Sequence, residues 1–388
     1  MSSAASCCWS SPRSSPPRCC FDPNDYRDRI AAAVKEKTGR ELTLGEIELK
    51  LFPWLNVSIS KARLGNALGF GDAPFAEIAK VSAGVKLLPL LLNRQIEVSA
   101  VSLDGMHAHL AKDKTGKSNW EDLLKQDEKA QAPKSKAEAQ FDPDSIDIAG
   151  LSIRDAAVSY SDAQTGEHYE IKQLNLKTGA LAPNEPIDID LALSVLSKAP
   201  AAQADIAFSG IIKPDLKTKK FSTQDLKLAI NNLKLKLVKD RSGRSNWQHL
   251  LKPKDEKEPD DKSAFDLNSL DIASISIKDA AIGYADAASG AQYDLSKLNL
   301  TTGAFTPGEP CDIELSAALL SKAPAANVNI GFSGTLKPDF KHNKLDTQDL
   351  KLSVKGKAKG LDVASTLKTR LLADFGAQVF NLQNLALE

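Results

Sequence analysis

Hydrophobic and polar residues alternate along most of this chain. Ile47, Leu49 and Leu51 are interleaved with Glu48 and Lys50. After Pro53 the run continues as Leu55, Val57 and Ile59 between Asn56, Ser58 and Ser60. Ile187, Ile189, Leu191, Leu193 and Val195 are separated by Asp188, Asp190, Ala192 and Ser194. Leu226, Leu228 and Ile230, then Leu233, Leu235 and Leu237, alternate largely with Lys and Ala. Successive side chains of a strand point to opposite faces, so this period of two predicts strands with one apolar and one wet face. Further strands are expected over 81–87, 96–110 and 382–387, with a short helical or turn connection over 87–93. Only the N-terminal segment reads differently. Asp22 is placed to cap a helix whose first turn suits Pro23, Ile30 and Val34 share a face, and Gly39 is available for a left-handed cap.

The alternation is itself repeated. The stretch from Phe141-Asp142 to about Ile230 aligns without a gap onto Phe265-Asp266 to about Val354, an offset of 124, with roughly half the positions identical. Leu174-Asn175-Leu176 corresponds to Leu298-Asn299-Leu300, and Thr223-Gln224-Asp225-Leu226 to Thr347-Gln348-Asp349-Leu350. A second echo, offset by 127, relates Asp113 to Trp120 with Asp240 to Trp247, each ending Gly-x-Ser-Asn-Trp. In that setting Gly makes a turn, Asn holds backbone groups, and Trp closes a strand edge. The expected organisation is an aberrant or disordered stretch over 1–20, an N-terminal region over 21–124, charged linkers over 125–140 and 252–264, β repeats over 141–251 and 265–360, and the start of a further, truncated β unit over 361–388. Both linkers mix the two signs of charge, which marks loops rather than binding patches.

No helix of comparable amphipathic length is available to cover the apolar side of these strands, and a sheet with one apolar side has to bury it. Two solutions exist. The strips stack as a sandwich, the commoner arrangement, or the sheet curls into a groove that holds apolar ligand.

Composition narrows the function more than it names it. Of 388 residues, 50 are Lys or Arg and 50 Asp or Glu, so the net charge of +0 gives no electrostatic reason to expect nucleic acid. Aromatics make up only 6%, which suits aliphatic strands better than one compact aromatic core. Four of the five cysteines lie in the first twenty residues. Cys311 stands where the first repeat has Ile187, so it reads as a small apolar residue. No run of about eighteen apolar residues encodes a spanning helix as written. The Cys/Ser/Pro/Arg-rich residues 1–20 read as a GC-rich stretch translated out of frame, and an apolar anchor helix is expected in a shifted frame.

Catalytic chemistry is hard to find. His107 and His109 share a strand face, but two imidazoles without a third ligand make a poor metal site. His168 aligns with Gln292 and His342 with Thr218, so neither belongs to a repeated site. No GxSxG, P-loop, HExxH or dinucleotide fingerprint is present. The expectation is a protein that is not an enzyme and uses no cofactor or metal.

From Phe21 to about residue 124 the chain resembles the N-terminal region of the AsmA family. The elements that carry the resemblance are, in order, Phe21-Asp22-Pro23-Asn24-Asp25-Tyr26, Thr38-Gly39-Arg40, Phe52-Pro53-Trp54-Leu55, Gly65-Asn66 with Gly69-Phe70, Pro89-Leu90-Leu91, Val101-Ser102-Leu103-Asp104 and Gly116-Lys117-Ser118-Asn119-Trp120. The later repeats resemble the family's middle region. The resemblance implies a mainly β fold: a long, curved, repetitive antiparallel sheet, groove-like, with a short N-terminal α-helix. It also implies relation to TamB-like, YhdP-like and chorein-type lipid carriers, an inner-membrane anchor that this chain lacks, and a periplasmic body. Further implications are phospholipid acyl chains and outer-membrane assembly proteins as partners, and a role in outer-membrane biogenesis or in regulating protein targeting to the membrane. A scaffold without lipid cargo is the alternative. With the alternation, the resemblance makes Leu226, Leu228, Ile230, Leu350, Leu352, Val354, Ile187, Ile189 and Leu191 the candidate lining of an apolar groove.

Overall fold

The computed structural model describes residues 22–50, 55–85, 98–124, 148–182, 184–215, 220–248, 271–306, 308–339 and 342–388. The Phe52-Pro53-Trp54 and Pro89-Leu90-Leu91 motifs, the 87–93 connection, both charged linkers and residues 1–20 lie outside them. Seventeen strands form one continuous sheet. In chain order they are β1 (Leu42–Thr43), β2 (Ile47–Lys50), β3 (Leu55–Leu64), β4 (Ala76–Val85), β5 (Val98–Lys112), β6 (Leu151–Asp162), β7 (His168–Thr178), β8 (Ile187–Lys198) and β9 (Ala201–Asp215). There follow β10 (Lys220–Lys239), β11 (Ile272–Asp286), β12 (Gln292–Thr302), β13 (Cys311–Lys322), β14 (Ala325–Asp339), β15 (Lys344–Ala358), β16 (Leu361–Asp374) and β17 (Val379–Leu387). From β2 onward each strand pairs with the next in sequence, and β1 shares β3.

The strands of the two repeats begin and end at equivalent positions: β6 to β9 map onto the last twelve residues of β11 and onto β12 to β14 at the offset of 124. They diverge where the sequence identity fades. β10 runs on to Lys239, whereas its counterpart β15 ends at Ala358 and turns through Lys359 and Gly360 into β16.

The expectation of an antiparallel sheet needs one correction. Two junctions, β5–β6 and β10–β11, are parallel. A parallel neighbour cannot be reached by a hairpin and requires a crossover. Both junctions follow an Asn-Trp corner and a long connection, so the crossover recurs once per unit.

At the N-terminus Asp22 caps a single 3-10 turn, Pro23–Tyr26, which leads into α1 (Arg27–Thr38). Gly39, at φ 71°, closes the helix. Asn24 covers the free edge of β2: the Ile47 N–H donates to Asn24 Oδ1 at 3.0 Å, and Asn24 Nδ2 donates to the Ile47 carbonyl at 3.2 Å. At Ile47 the edge groups are thereby satisfied, which blunts the start of the edge strand.

The period of two slips at fixed places. The spacing of residues on the apolar side lengthens to three at Ile171–Leu174, at Thr223–Leu226, where a buried threonine stands in place of an apolar residue, and at Ile230–Leu233. At each slip one residue has positive φ and the ladder shifts register: Gln173, Asp225 and Asn232. Lys297 and Asp349 repeat the first two. A bulge inserts one residue and restores the facing of the residues beyond it, while increasing local twist. The slips therefore keep the apolar residues on one side. Opposite the Asp225 bulge, Gly210 (φ 150°) leaves room for Leu226; an added Cβ would stand 2.9 Å from the Leu226 Cα.

The sandwich is ruled out by burial. Among the described residues, the sealed apolar side chains are mostly small: Ala156, Ala280, Ala317, Ala373 and Cys311, with Ile47, Leu226 and Val328. In a sandwich the Leu and Ile of the inner faces would interdigitate and be sealed. Here Leu191, Leu228 and Ile230 are only half-buried, and Leu352 is 37% exposed.

Candidate functional site: one uninterrupted apolar face

Register carries apolar side chains across the whole sheet. Ile47, Ile59, Val81, Leu103, Ile153, Leu176, Leu191, Phe208, Leu228 and Ile275 are successive partners from β2 to β11. A second row, Leu193, Ile206, Ile230, Ile277, Leu300, Leu315, Phe332, Leu352, Leu367 and Leu387, runs from β8 to β17. Leu228 and Ile230 are two apart on one strand, as are Ile275 and Ile277, so both rows lie on the same face.

All nine candidate groove residues belong to this face. Leu191 pairs with Phe208, Ile189 with Gly210 and Ile187 with Ile212. Leu352 pairs with Phe332, Val354 with Ile330 and Leu350 with Thr369. They are not one cluster: Leu228 and Leu352 stand five strands apart, in different rows.

The two Asn-Trp corners are built alike, as the motif suggested. Asn119 is fully buried and stands in for a strand partner. Its Oδ1 accepts the Ala111 N–H at 2.9 Å, and its Nδ2 donates to the His109 carbonyl at 2.8 Å and to Asn66 Oδ1 at 2.9 Å. Asn246 does the same for Val238 N–H and the Lys236 carbonyl, both at 2.9 Å. The turn is held by an aspartate. Asp240 Oδ1 accepts from Ser242 Oγ (2.6 Å), Ser242 N–H (2.8 Å) and Arg244 N–H (3.0 Å). The Ser242 hydroxyl and these amides draw its pKa down to about 2. Asp113 is lowered likewise, chiefly by the Thr115 hydroxyl.

From each corner an aromatic ladder crosses one long edge of the apolar face. Trp120 lies 6.2 Å from Tyr160, which stacks on Tyr169 at 6.0 Å; Trp247 lies 6.0 Å from Tyr284, which stacks on Tyr293 at 6.1 Å. Both tryptophans are partly buried. The same edge carries a Lys–Asp pair in each unit. Lys112 partners Asp162, and Lys239 partners Asp286 with Nζ 3.9 Å from Oδ2. The sequence reading missed these lysines. Their signal is parity, since the apolar series Leu235, Leu237 ends on Lys239.

A third element was also missed. Arg40, 3% exposed, donates to the Asn119 carbonyl at 2.6 Å, forms a bidentate pair with Asp122 in α2 (Glu121–Leu124), and lies over the Phe75 ring with its guanidinium carbon 4.6 Å from the centroid. It ties the end of α1 to the first corner.

The opposite face is polar. A cleft of about 500 Å³ there is lined by His107, His109, Ser159, Glu170 and Lys172, among others. His109 Nδ1 is 2.9 Å from Ser159 Oγ. Lys172, then His168, hold Glu170 down to about 2. Among the described residues no three His, Cys, Asp or Glu are grouped to hold a metal.

Comparison with known proteins agrees with this architecture. No curated protein and no solved structure gives a match. The model of the AsmA family matches twice, over residues 19–228 and 226–388, so that the two matches meet inside β10 and together span most of the sequence. The chain belongs to the AsmA family.

Proposed function

We propose that this protein works at the cell envelope as a carrier of phospholipid, with acyl chains lying along the apolar face. The observation that supports this is the pair of apolar rows: apolar side chains run from β2 to β17 and, among the described residues, no second sheet lies against them. An apolar surface of that extent needs a cover. Acyl chains meet the need without directional contacts, at about 0.8 kcal/mol per buried CH₂. A carrier gains from such a cover, because burial without fixed hydrogen bonds allows sliding. The role is non-enzymatic. Family membership supports placing the body in the periplasm beside an inner-membrane anchor. It also supports a part in outer-membrane biogenesis or in regulating protein targeting to the membrane.

The test is to purify the protein in mild detergent from a Gram-negative host and identify extracted lipid by mass spectrometry. Diacyl phospholipid at one or more molecules per chain is expected. Lipid-free protein with a protein partner seated on the apolar face would favour an interaction scaffold instead.

A further inference from the structure

The two long edges of the apolar face are chemically unlike. At the edge away from the corners the last residues on the apolar parity are Phe221 opposite Pro214 and, one repeat later, Leu345 opposite Pro338, whereas the Lys220–Asp215 and Lys344–Asp374 pairs beside them stand on the other parity. At the corner edge each unit ends in the same polar group: Lys112 with Asp162, then Lys239 with Asp286. Beside them Tyr160 donates its hydroxyl to Asp162 at 3.3 Å. Ser197 and Ser321, partners of Tyr169 and Tyr293 in the ladder, keep buried hydroxyls with no protein partner. Among the described residues, an amphipathic rim on the apolar parity thus recurs once per unit at the corner edge.

We propose that this rim orients the cargo: Lys112 and Lys239 hold the phosphate of a diacyl phospholipid whose tails lie on the aliphatic rows. The inference rests on the lipid-carrying reading and adds headgroup position and selectivity to it. The Lys239–Asp286 separation of 3.9 Å is long for a closed ion pair. Asp286 is already engaged through its other oxygen by the Ala288 and Ser289 N–H groups, at 2.8 and 3.3 Å. The lysine side chain is 38% exposed. Its ammonium therefore has room for a second anion, next to an apolar surface that lowers the local dielectric and strengthens the contact. A phospholipid laid the other way round would set its phosphate against Pro214 and Phe221, where no described residue on the apolar parity is a cation. The neighbouring aspartate stays available to an ammonium on the same headgroup.

The experiment loads the delipidated full chain from vesicles containing equal parts of phosphatidylethanolamine and diacylglycerol with the same acyl chains. Bound lipid is counted by native mass spectrometry, and β content is checked by circular dichroism. The parent is expected to take phospholipid over diacylglycerol by about tenfold, the factor that one charge-assisted contact supplies. The K112Q/K239Q variant should bind both lipids alike, and K112R/K239R should keep the preference. Equal uptake by the parent, or a preference that survives K112Q/K239Q, overturns the headgroup assignment while leaving the lipid reading intact. Uptake of neither lipid overturns both. Should K112Q/K239Q lose its sheet, K239Q alone is read against the parent by the same ratio.

Discussion

Replacing Leu228 and Leu352 together by Asp is expected to remove nearly all co-purifying phospholipid, a loss of about tenfold or more, while leaving the sheet intact. Each substitution puts a carboxylate in the middle of a row where acyl chains would lie. Burying an unpaired charge there costs well over the roughly 1.4 kcal/mol that makes a factor of ten. In lipid-free protein the same carboxylates face water, because Leu228 is half-buried and Leu352 is 37% exposed. Their backbone pairing, Leu228 with Phe208 and Ile275 and Leu352 with Phe332 and Leu367, does not depend on the side chain. Lipid extraction and circular dichroism on the same preparation separate the outcomes. Unchanged lipid in a folded double variant would contradict the apolar face as the carrying surface.

Arg40→Ala is expected to have the largest effect on stability, about 3 kcal/mol, from a buried carbonyl left without its donor and the lost packing of the guanidinium on Phe75, with little from Asp122, whose side chain is 37% exposed and open to water. The Asp122 carboxylate loses both guanidinium bonds, and the Asn119 carbonyl loses its donor in a fully buried corner. The loss should have a pH signature. Arg40 holds the Asp122 pKa below the ordinary carboxylate value. A depressed folded pKa contributes stability above the unfolded value near 4 and loses it as pH falls through the folded one. The parent should therefore lose stability below about pH 4, and Arg40→Ala should lose less of it there. Asp113 and Asp240 at the corners keep their own acid dependence in both proteins, since both are depressed by local turn hydrogen bonds. Urea titrations from about pH 3 to 7 span that window. A variant within about 1 kcal/mol of the parent at neutral pH, less than an unsatisfied buried carbonyl and the lost packing would cost together, would show that the corner is held by Asn119 alone.

Much of this architecture is legible in the sequence because strand alternation is a local signal. The trio Leu226, Leu228 and Ile230 lies on one face, and the corners use Asn119 and Asn246 as the motif suggested. Slips of three residues, such as Ile171 to Leu174, look like breaks in the pattern, yet bulges at Gln173 and its counterparts repair them. The parallel junctions were not legible, since strand direction depends on where a long connection returns and alternation is blind to it. Arg40 was hidden for a different reason. Its partners, Asp122 and the Asn119 carbonyl, are some eighty residues away and have no pattern of their own. Lys112 and Lys239 went unnoticed among 50 basic residues until register put them on the apolar parity.

Position-specific photo-crosslinking in living cells tests the central claim most directly. Leu191 and Ala192 are adjacent on β8 and point to opposite faces, Leu191 into the row with Phe208 and Leu228, Ala192 to the polar side beside Ala207. A photoreactive residue at 191 is expected to yield phospholipid adducts on this chain, and one at 192 none. Equal lipid labelling at both positions, or a protein adduct at 191 with no lipid, would contradict an apolar face covered by acyl chains.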